Sequence, residues 1–409
     1  MSVTREIFEK GKGIFCLTPT WVPRGFNEPG KRLRLHPDDY YAYGMDRGGI
    51  CERWLGSVTR AMNGPETGET EGMSYILADR DRRDVILFAD AVRELKAELI
   101  GERLWEKYGT WPTYSKLYDY DKPLFHHLHL NDEQAGRIGK KGKPEAYYFP
   151  RQYNSYMGRF PLTYFGFDPS VTKEEVKECL RNYDIRDNRI TELSRAYRIK
   201  PGTGWYTPAG VVHAPGSVVT YEPQWNSDVN TIVENVTMGE VNPHNLLTDC
   251  QPEEEKGDVD ALFAQIDWEE STRPDYKETY YREPRERKGC QEGVKEYWVA
   301  YANDWVAAKE VTVAPGSRVI LRDSACYGAL VIQGHGSFGP YECETPVMLR
   351  FTDYSADEFF VSEKAAGEGV VVENKSLCEP LVILQNFADN NEEVPKEVRQ
   401  EAFERCREY

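Results

Sequence analysis

Residues 126–149 read HHLHLNDEQAGRIGKKGKPEAYYF. On an extended strand successive side chains point to opposite faces, and residues two apart share a face at roughly 6.5–7 Å. His127 and His129 are therefore expected to converge on one side, with His126 and Leu128 on the other. The segment 137–143, RIGKKGK, is rich in glycine and lysine and supplies a turn that brings the chain back. Glu145 then meets the two imidazoles from a neighbouring strand. The stretch predicts a β architecture with a cluster of potential metal ligands on its inner face.

Further along, residues 205–219 read WYTPAGVVHAPGSVV, where Pro208, Ala209 and Gly210 form a turn before a short apolar strand carrying His213. An HxH pair alone is ordinary strand chemistry. Joined by a returning glutamate and a third histidine, it makes a donor set of three imidazoles and one carboxylate. Such a set suits one divalent transition ion with positions left open for water or substrate. Of the other histidines, His36 in LHPDD and His244 in NPHN read as loop residues, and His335 in GHGSFG lacks a partner carboxylate at suitable spacing.

Around this centre, strand-like segments are expected at 124–130, 145–149 and 210–221, followed by a series over 297–387. The first eighty residues, rich in Gly, Pro and Arg, predict irregular strands and turns. Helical periodicity occurs over 84–109, where Phe88, Val92, Leu95 and Leu99 recur at three and four residues and Gly101 and Gly109 punctuate. A second helical region is expected over 171–200. It opens on TKEE, a capping box between Thr172 and Glu175 that turns Val176, Cys179 and Leu180 inward. The fold class is mainly β: two jelly-roll sandwiches with a helical insertion. The expected division is a metal-binding domain over 1–250, a charged connector over 251–293, and a degenerate second sandwich over 294–409 that ends in a helix and packs on the first.

The totals exclude several classes. With 68 acidic against 51 basic residues the formal charge is -17, which disfavours nucleic acid and anionic lipid as partners. No run of eighteen apolar residues occurs and the first residues lack a signal-like stretch, so a cytoplasmic location is expected. Nine cysteines are scattered without a CxxC pair, which fits reduced thiols. Tyrosine, phenylalanine and tryptophan number 26, 16 and 9; aromatic faces line sugar clefts as well as cores.

The order of features resembles the type I mannose-6-phosphate isomerases of the cupin superfamily. HLHLNDEQA, GKPEAYYF, TPAGVVHAPG and QWNSDV stand where that family carries QxHPNDExA, KPE, PAGxxHA and QxxSDxT, in the same order. ERWLGS, IGERLWEKYG, PTYSKLYDYDKPL and TYFGFDPSVTKEEVKECL extend the likeness outward, so that it covers about 50–270. The resemblance implies zinc on His129, Glu145 and His213, active-site lysines at Lys116 and Lys143, and supporting roles for Gln224 and Asp228. His127 stands where the family has glutamine, which leaves Mn, Fe, Ni or Co as further candidates for the ion. Phe125 replaces a serine that contacts the substrate phosphate, and Ile232 replaces an arginine. An unphosphorylated sugar is one implication.

The implied reaction is aldose–ketose isomerisation of mannose, its 6-phosphate or a related sugar, through an enediol. Lys116, Lys143 and Asp228 are the candidate catalytic groups, and Phe125 and Gln224 face the substrate. The other classes left open are a metal-dependent cupin oxygenase and a non-catalytic sugar-binding cupin. The partner expected is a small sugar; the oligomeric state is open.

Overall fold

A computed structural model describes residues 1–79 and 81–398. The expected terminal helix lies outside the described residues, insofar as it falls on 399–409.

From residue 113 to 232 the chain alternates between two antiparallel sheets, and this alternation builds the first sandwich. One sheet has seven strands in the order Tyr281–Arg282, Gly204–Thr207, Glu145–Tyr148, Thr220–Trp225, Thr113–Tyr118, Gly49–Leu55 and Thr20–Arg24. The facing sheet has five, in the order Ser194–Arg198, Leu162–Phe167, His213–Pro215, His127–Leu128 and Thr231–Ile232. A second sandwich pairs another seven-stranded sheet, containing Val294–Ala300, Ala307–Val313, Tyr327–Gln333 and Leu381–Phe387, with a four-stranded one. The mainly β, two-sandwich fold follows the sequence expectation.

The period of two explains how the layers stack. On the strand Leu381–Phe387, Leu381, Ile383 and Phe387 join the core of the second sandwich with Val319 and Leu321. Val382 and Leu384 point the other way and share a core with Leu117, Tyr221 and Trp225 of the first sandwich. The two seven-stranded sheets are thus back to back, sealed by apolar side chains. A buried ion pair crosses the seam: Arg53 reaches Asp357 at 2.8 Å and Glu358 at 3.1 Å. The second sandwich thus packs directly on the first.

Local structure departs from expectation in several places. The helical stretch 84–109 opens as a strand, Asp84–Leu87, and then breaks into Phe88–Leu95, Ala97–Ile100 and Glu102–Tyr108. Lys96, with φ of 53°, interrupts the first two, a left-handed conformation that no helix can continue through. The capping box at Thr172 forms in both directions, but its helix, Lys173–Arg181, is followed by a short 3-10 turn and the strand Ser194–Arg198.

The expected strand over 210–221 is two strands in two sheets. Between them Gly216 passes so close to Leu162 that an added Cβ would lie 1.8 Å from its carbonyl oxygen. The strand expected over 124–130 is reduced to His127–Leu128. A short helix not foreseen, Asp132–Gly136, follows it, capped reciprocally by Asn131 and Gln134.

The charged segment 251–293 is no bare linker. It buries Leu262, Ile266 and Tyr276 and gives one strand, Tyr281–Arg282, to the first sandwich and another, Arg285–Glu286, to the second. At the other end of the chain, Ile14–Cys16 pairs with Glu358–Val361 in the second sandwich, outside the division drawn from sequence. Extended backbone at an edge pairs with whichever sheet offers free groups, which sequence position does not specify.

Candidate metal centre

His127 and His213 are directly opposed across an antiparallel pair, which puts both side chains on the inner face of the five-stranded sheet. His129, two residues on, shares that face. His126 points away, accepted at Nδ1 by Glu234 at 2.8 Å and packed on Tyr164. Glu145 comes from the facing sheet, with Oε2 3.0 Å from His129 Nε2 and Oε1 3.1 Å from His213 Nε2. The donor atoms of His127, His129 and His213 all lie within 4.8 Å of one another, the one such group of three among the described residues.

The tautomers are fixed by the backbone. Nδ1 of His127 lies 2.9 Å from the Phe125 carbonyl, that of His129 2.8 Å from the Val229 carbonyl, and that of His213 2.8 Å from the Val211 carbonyl. A carbonyl can only accept, so each Nδ1 carries a proton, and Nε2 is the ring nitrogen left to face the cluster. Burial, with His213 and His129 as neighbours, holds His127 well below the usual imidazole range. Burial and the Lys143 ammonium bring His129 down to about 4. Both rings are therefore neutral donors. Against burial, the Lys143 ammonium holds Glu145 well below the usual carboxylate range.

This arrangement fits a cation. The His213 Nε2 makes no hydrogen bond, yet it faces a carboxylate oxygen, two lone pairs that repel unless positive charge lies between them. Lys143 supplies such charge on one side, with Nζ 2.9 Å from His129 Nε2 and 2.6 Å from Glu145 Oε2. Neutral imidazoles with a carboxylate match a borderline divalent transition ion.

A run of alternating buried charges leads away from this cluster across the inner face of the seven-stranded sheet. Glu222 lies 3.5 Å from Lys143 and 3.2 Å from Lys116. Lys116 also reaches Glu52 at 3.9 Å, and Glu52 pairs with Arg24 at 2.9 Å. Arg24 finally meets Asp228 at 3.2 Å. Burial and the Glu145 charge push Glu222 up to about 7, with the two lysines opposing. Burial would lower Lys116, but Glu222 and Glu52 raise it above its ordinary value.

The structure brings His127, His129, Glu145, His213, Lys143 and Lys116 into one interior. Gln224, opposite Glu145 on the next strand, is tied to Tyr114 and the Ser227 carbonyl. Asp228 is one step removed, holding Arg24 and the Met62 amide. Phe125 is buried, packing edge-on against Phe26 and His127. Sequence reasoning passed over Glu222 and Arg24 and gave Glu52, which opens ERWLGS, no role of its own. Glu222 was within reach, since it lies two residues from Gln224 on the same strand face.

Similarity by sequence and by structure leads to mannose-6-phosphate isomerases. Mannose-6-phosphate isomerase ManA of Bacillus subtilis is 32% identical over 140 residues, which is 33% of this chain and 38% of that protein's length. The solved B. subtilis mannose 6-phosphate isomerase superposes with a TM-score of 0.60 at 17% identity, covering 91% of this chain and 99% of that one. The chain has the fold of the mannose-6-phosphate isomerases.

A phosphomannose isomerase mutant from Salmonella typhimurium gives a TM-score of 0.61 at 12% identity, covering 92% of this chain and 100% of that one. A zinc-bound mannose 6-phosphate isomerase gives 0.60 at 11%, covering 92% and 99%. No family profile matches the chain. The likeness in fold to these enzymes covers both sandwiches.

Proposed function

We propose that the protein is a metal-dependent aldose–ketose isomerase acting on a small sugar or sugar phosphate, of which mannose and its 6-phosphate are the first candidates. The observation that carries this reading is the convergence of three Nε2 lone pairs and the Glu145 carboxylate on one buried point, beside a line of paired lysines and carboxylates. His127, His129, Glu145 and His213 would hold the ion, zinc first and Mn, Fe, Ni or Co after it. When bound, a divalent ion there supplies Lewis acidity toward a sugar carbonyl.

The remaining chemistry belongs to the chain's own side chains. Aldose–ketose exchange moves a proton between C1 and C2 and builds negative charge on the adjacent oxygens. Lys143 and Lys116 place two ammonium groups beside Glu222, which suits them to stabilise that charge. Glu222, between the two lysines, is the carboxylate positioned to carry the proton. Asp228 acts through Arg24, and Gln224 holds Tyr114 and the turn that begins at Ser227. Phe125 closes the apolar wall behind His127.

Support comes also from the zinc-bound mannose 6-phosphate isomerase that shares the fold. The formal charge of -17 supports a small-molecule partner over nucleic acid, and among the described residues no helix is long and apolar enough to cross a membrane. A cytoplasmic location belongs to the same proposal.

NMR of zinc-loaded protein in heavy water, with a panel of aldoses and their 6-phosphates, tests this reading. Ketose formation with deuterium entering C2 is expected from at least one of them. Failure of the whole panel, with metal bound and fold intact, would remove the isomerase. Oxygen consumption with an iron-loaded sample would move the cupin oxygenase forward, because three histidines also suit that metal.

A further inference from the structure

We infer that the site is built for an uncharged sugar and discriminates against sugar phosphates, an inference that rests on the isomerase reading and specifies its substrate class. A cleft of about 670 Å³ opens against the first sandwich, with Arg24 and Ile232 on its wall. Ile232 stands directly opposite His127 on the neighbouring strand, so its side chain shares the inner face with the metal cluster. The cleft therefore lies against the sheet face that carries that cluster.

Phosphate recognition needs a cation with donors to spare. Arg24 has none. Its Nε donates to Glu52 at 2.9 Å, Nη1 to Asn63 at 2.8 Å and Asp228 at 3.3 Å, and Nη2 to Glu52 at 3.0 Å and Asp228 at 3.2 Å. All five N–H groups are engaged, and the guanidinium lies between two carboxylates. Arg47, the other arginine on the cleft, is bound to both oxygens of Glu71 at 2.9 and 2.7 Å. Deeper in, Lys116 sits between Glu222 and Glu52, and Lys143 between Glu145 and Glu222. Among the described residues that line the cleft, both cations, Arg24 and Arg47, are committed to carboxylate.

The lining adds acceptors and apolar surface instead. Asp46, Glu66 and Glu240 bring further negative charge to the rim, Glu240 being paired with Lys122. A phosphate dianion would meet these charges and would have to displace a buried carboxylate from its arginine, leaving that carboxylate unpaired. Sugar hydroxyls are donors and gain from the same carboxylates. Phe26 and Leu246 offer the apolar area that a pyranose C–H face covers.

The test compares mannose with mannose 6-phosphate on zinc-loaded protein, by calorimetric titration and by turnover in heavy water. Mannose is expected to be preferred by about tenfold or more in both Kd and kcat/KM, a difference of about 1.4 kcal/mol or more. Met62, 44% exposed on the cleft, gives a way to add a free cation without disturbing the core. Met62→Arg should tighten mannose 6-phosphate severalfold relative to mannose.

Preferential turnover of mannose 6-phosphate by the unaltered protein would overturn this inference while leaving the isomerase intact. If neither sugar turns over, the isomerase reading falls and the titration still decides: equal or tighter binding of the phosphate, or binding of neither, overturns selectivity for a neutral sugar.

Discussion

His127 and His213 face one another across a single antiparallel pair, with ring centroids 4.2 Å apart. Neither ring can move without breaking a bond to a backbone carbonyl, from Phe125 in one case and Val211 in the other. Preorganisation of this kind holds the donors in place before a metal arrives, and a ligand bound only by the folded state stabilises it by mass action.

Replacing His213 by alanine should therefore abolish stoichiometric metal. Elemental analysis of the wild type after zinc loading and gel filtration is expected to give one ion per chain, and His213→Ala close to none. Treatment of the wild type with a chelator should lower its melting temperature, and zinc should restore it. A melting temperature indifferent to zinc would contradict the assignment.

Glu222 lies between Lys116 and Lys143 on the inner face, buried and one strand from Glu145. Glu222→Gln keeps the volume and removes the proton acceptor. We expect kcat to fall by about 10²-fold or more while zinc content and melting temperature hold. Unchanged turnover would transfer the proton-carrying role to one of the lysines.

The seam between the sandwiches supplies a stability prediction. Arg53→Ala leaves Asp357 and Glu358 buried without their cation, and loss of one partner from such a group costs about 3–5 kcal/mol. Urea unfolding should show a correspondingly lower midpoint. A change below about 1 kcal/mol would mean that water reaches the seam.

Glu358 gives this seam a pH dependence. Burial, with Asp357 adding to it and Arg53 opposing, raises its carboxyl from 4.5 to about 7. A carboxyl raised in the folded state favours folding fully below its unfolded value, and that contribution is lost as pH rises through about 7. Stability from this group is thus full below pH 4.5 and gone by pH 8. Glu358→Gln, which still accepts the Gly56 amide, should gain on the wild type in melting temperature between pH 5 and pH 8. An identical pH profile for the two proteins would show that the carboxyl is not responsible.

The sequence alone determined the local content of the centre. The HxH alternation of His127 and His129, the returning Glu145 and the turn before His213 are consequences of strand period and turn chemistry, which act over a few residues. The Thr172 capping box was legible for the same reason, and so was the mainly β class. Tertiary structure alone decided which sheet each strand joined, that Ile14–Cys16 completes the distant sandwich, and that the charged segment 251–293 straps both together. It also decided that Arg24, Glu52 and Asp228, remote in sequence, neutralise one another beside the cleft. Backbone hydrogen bonds carry no address and a charge has no partner until the chain has folded, so pairing over long separations is settled by packing and desolvation, not by local pattern.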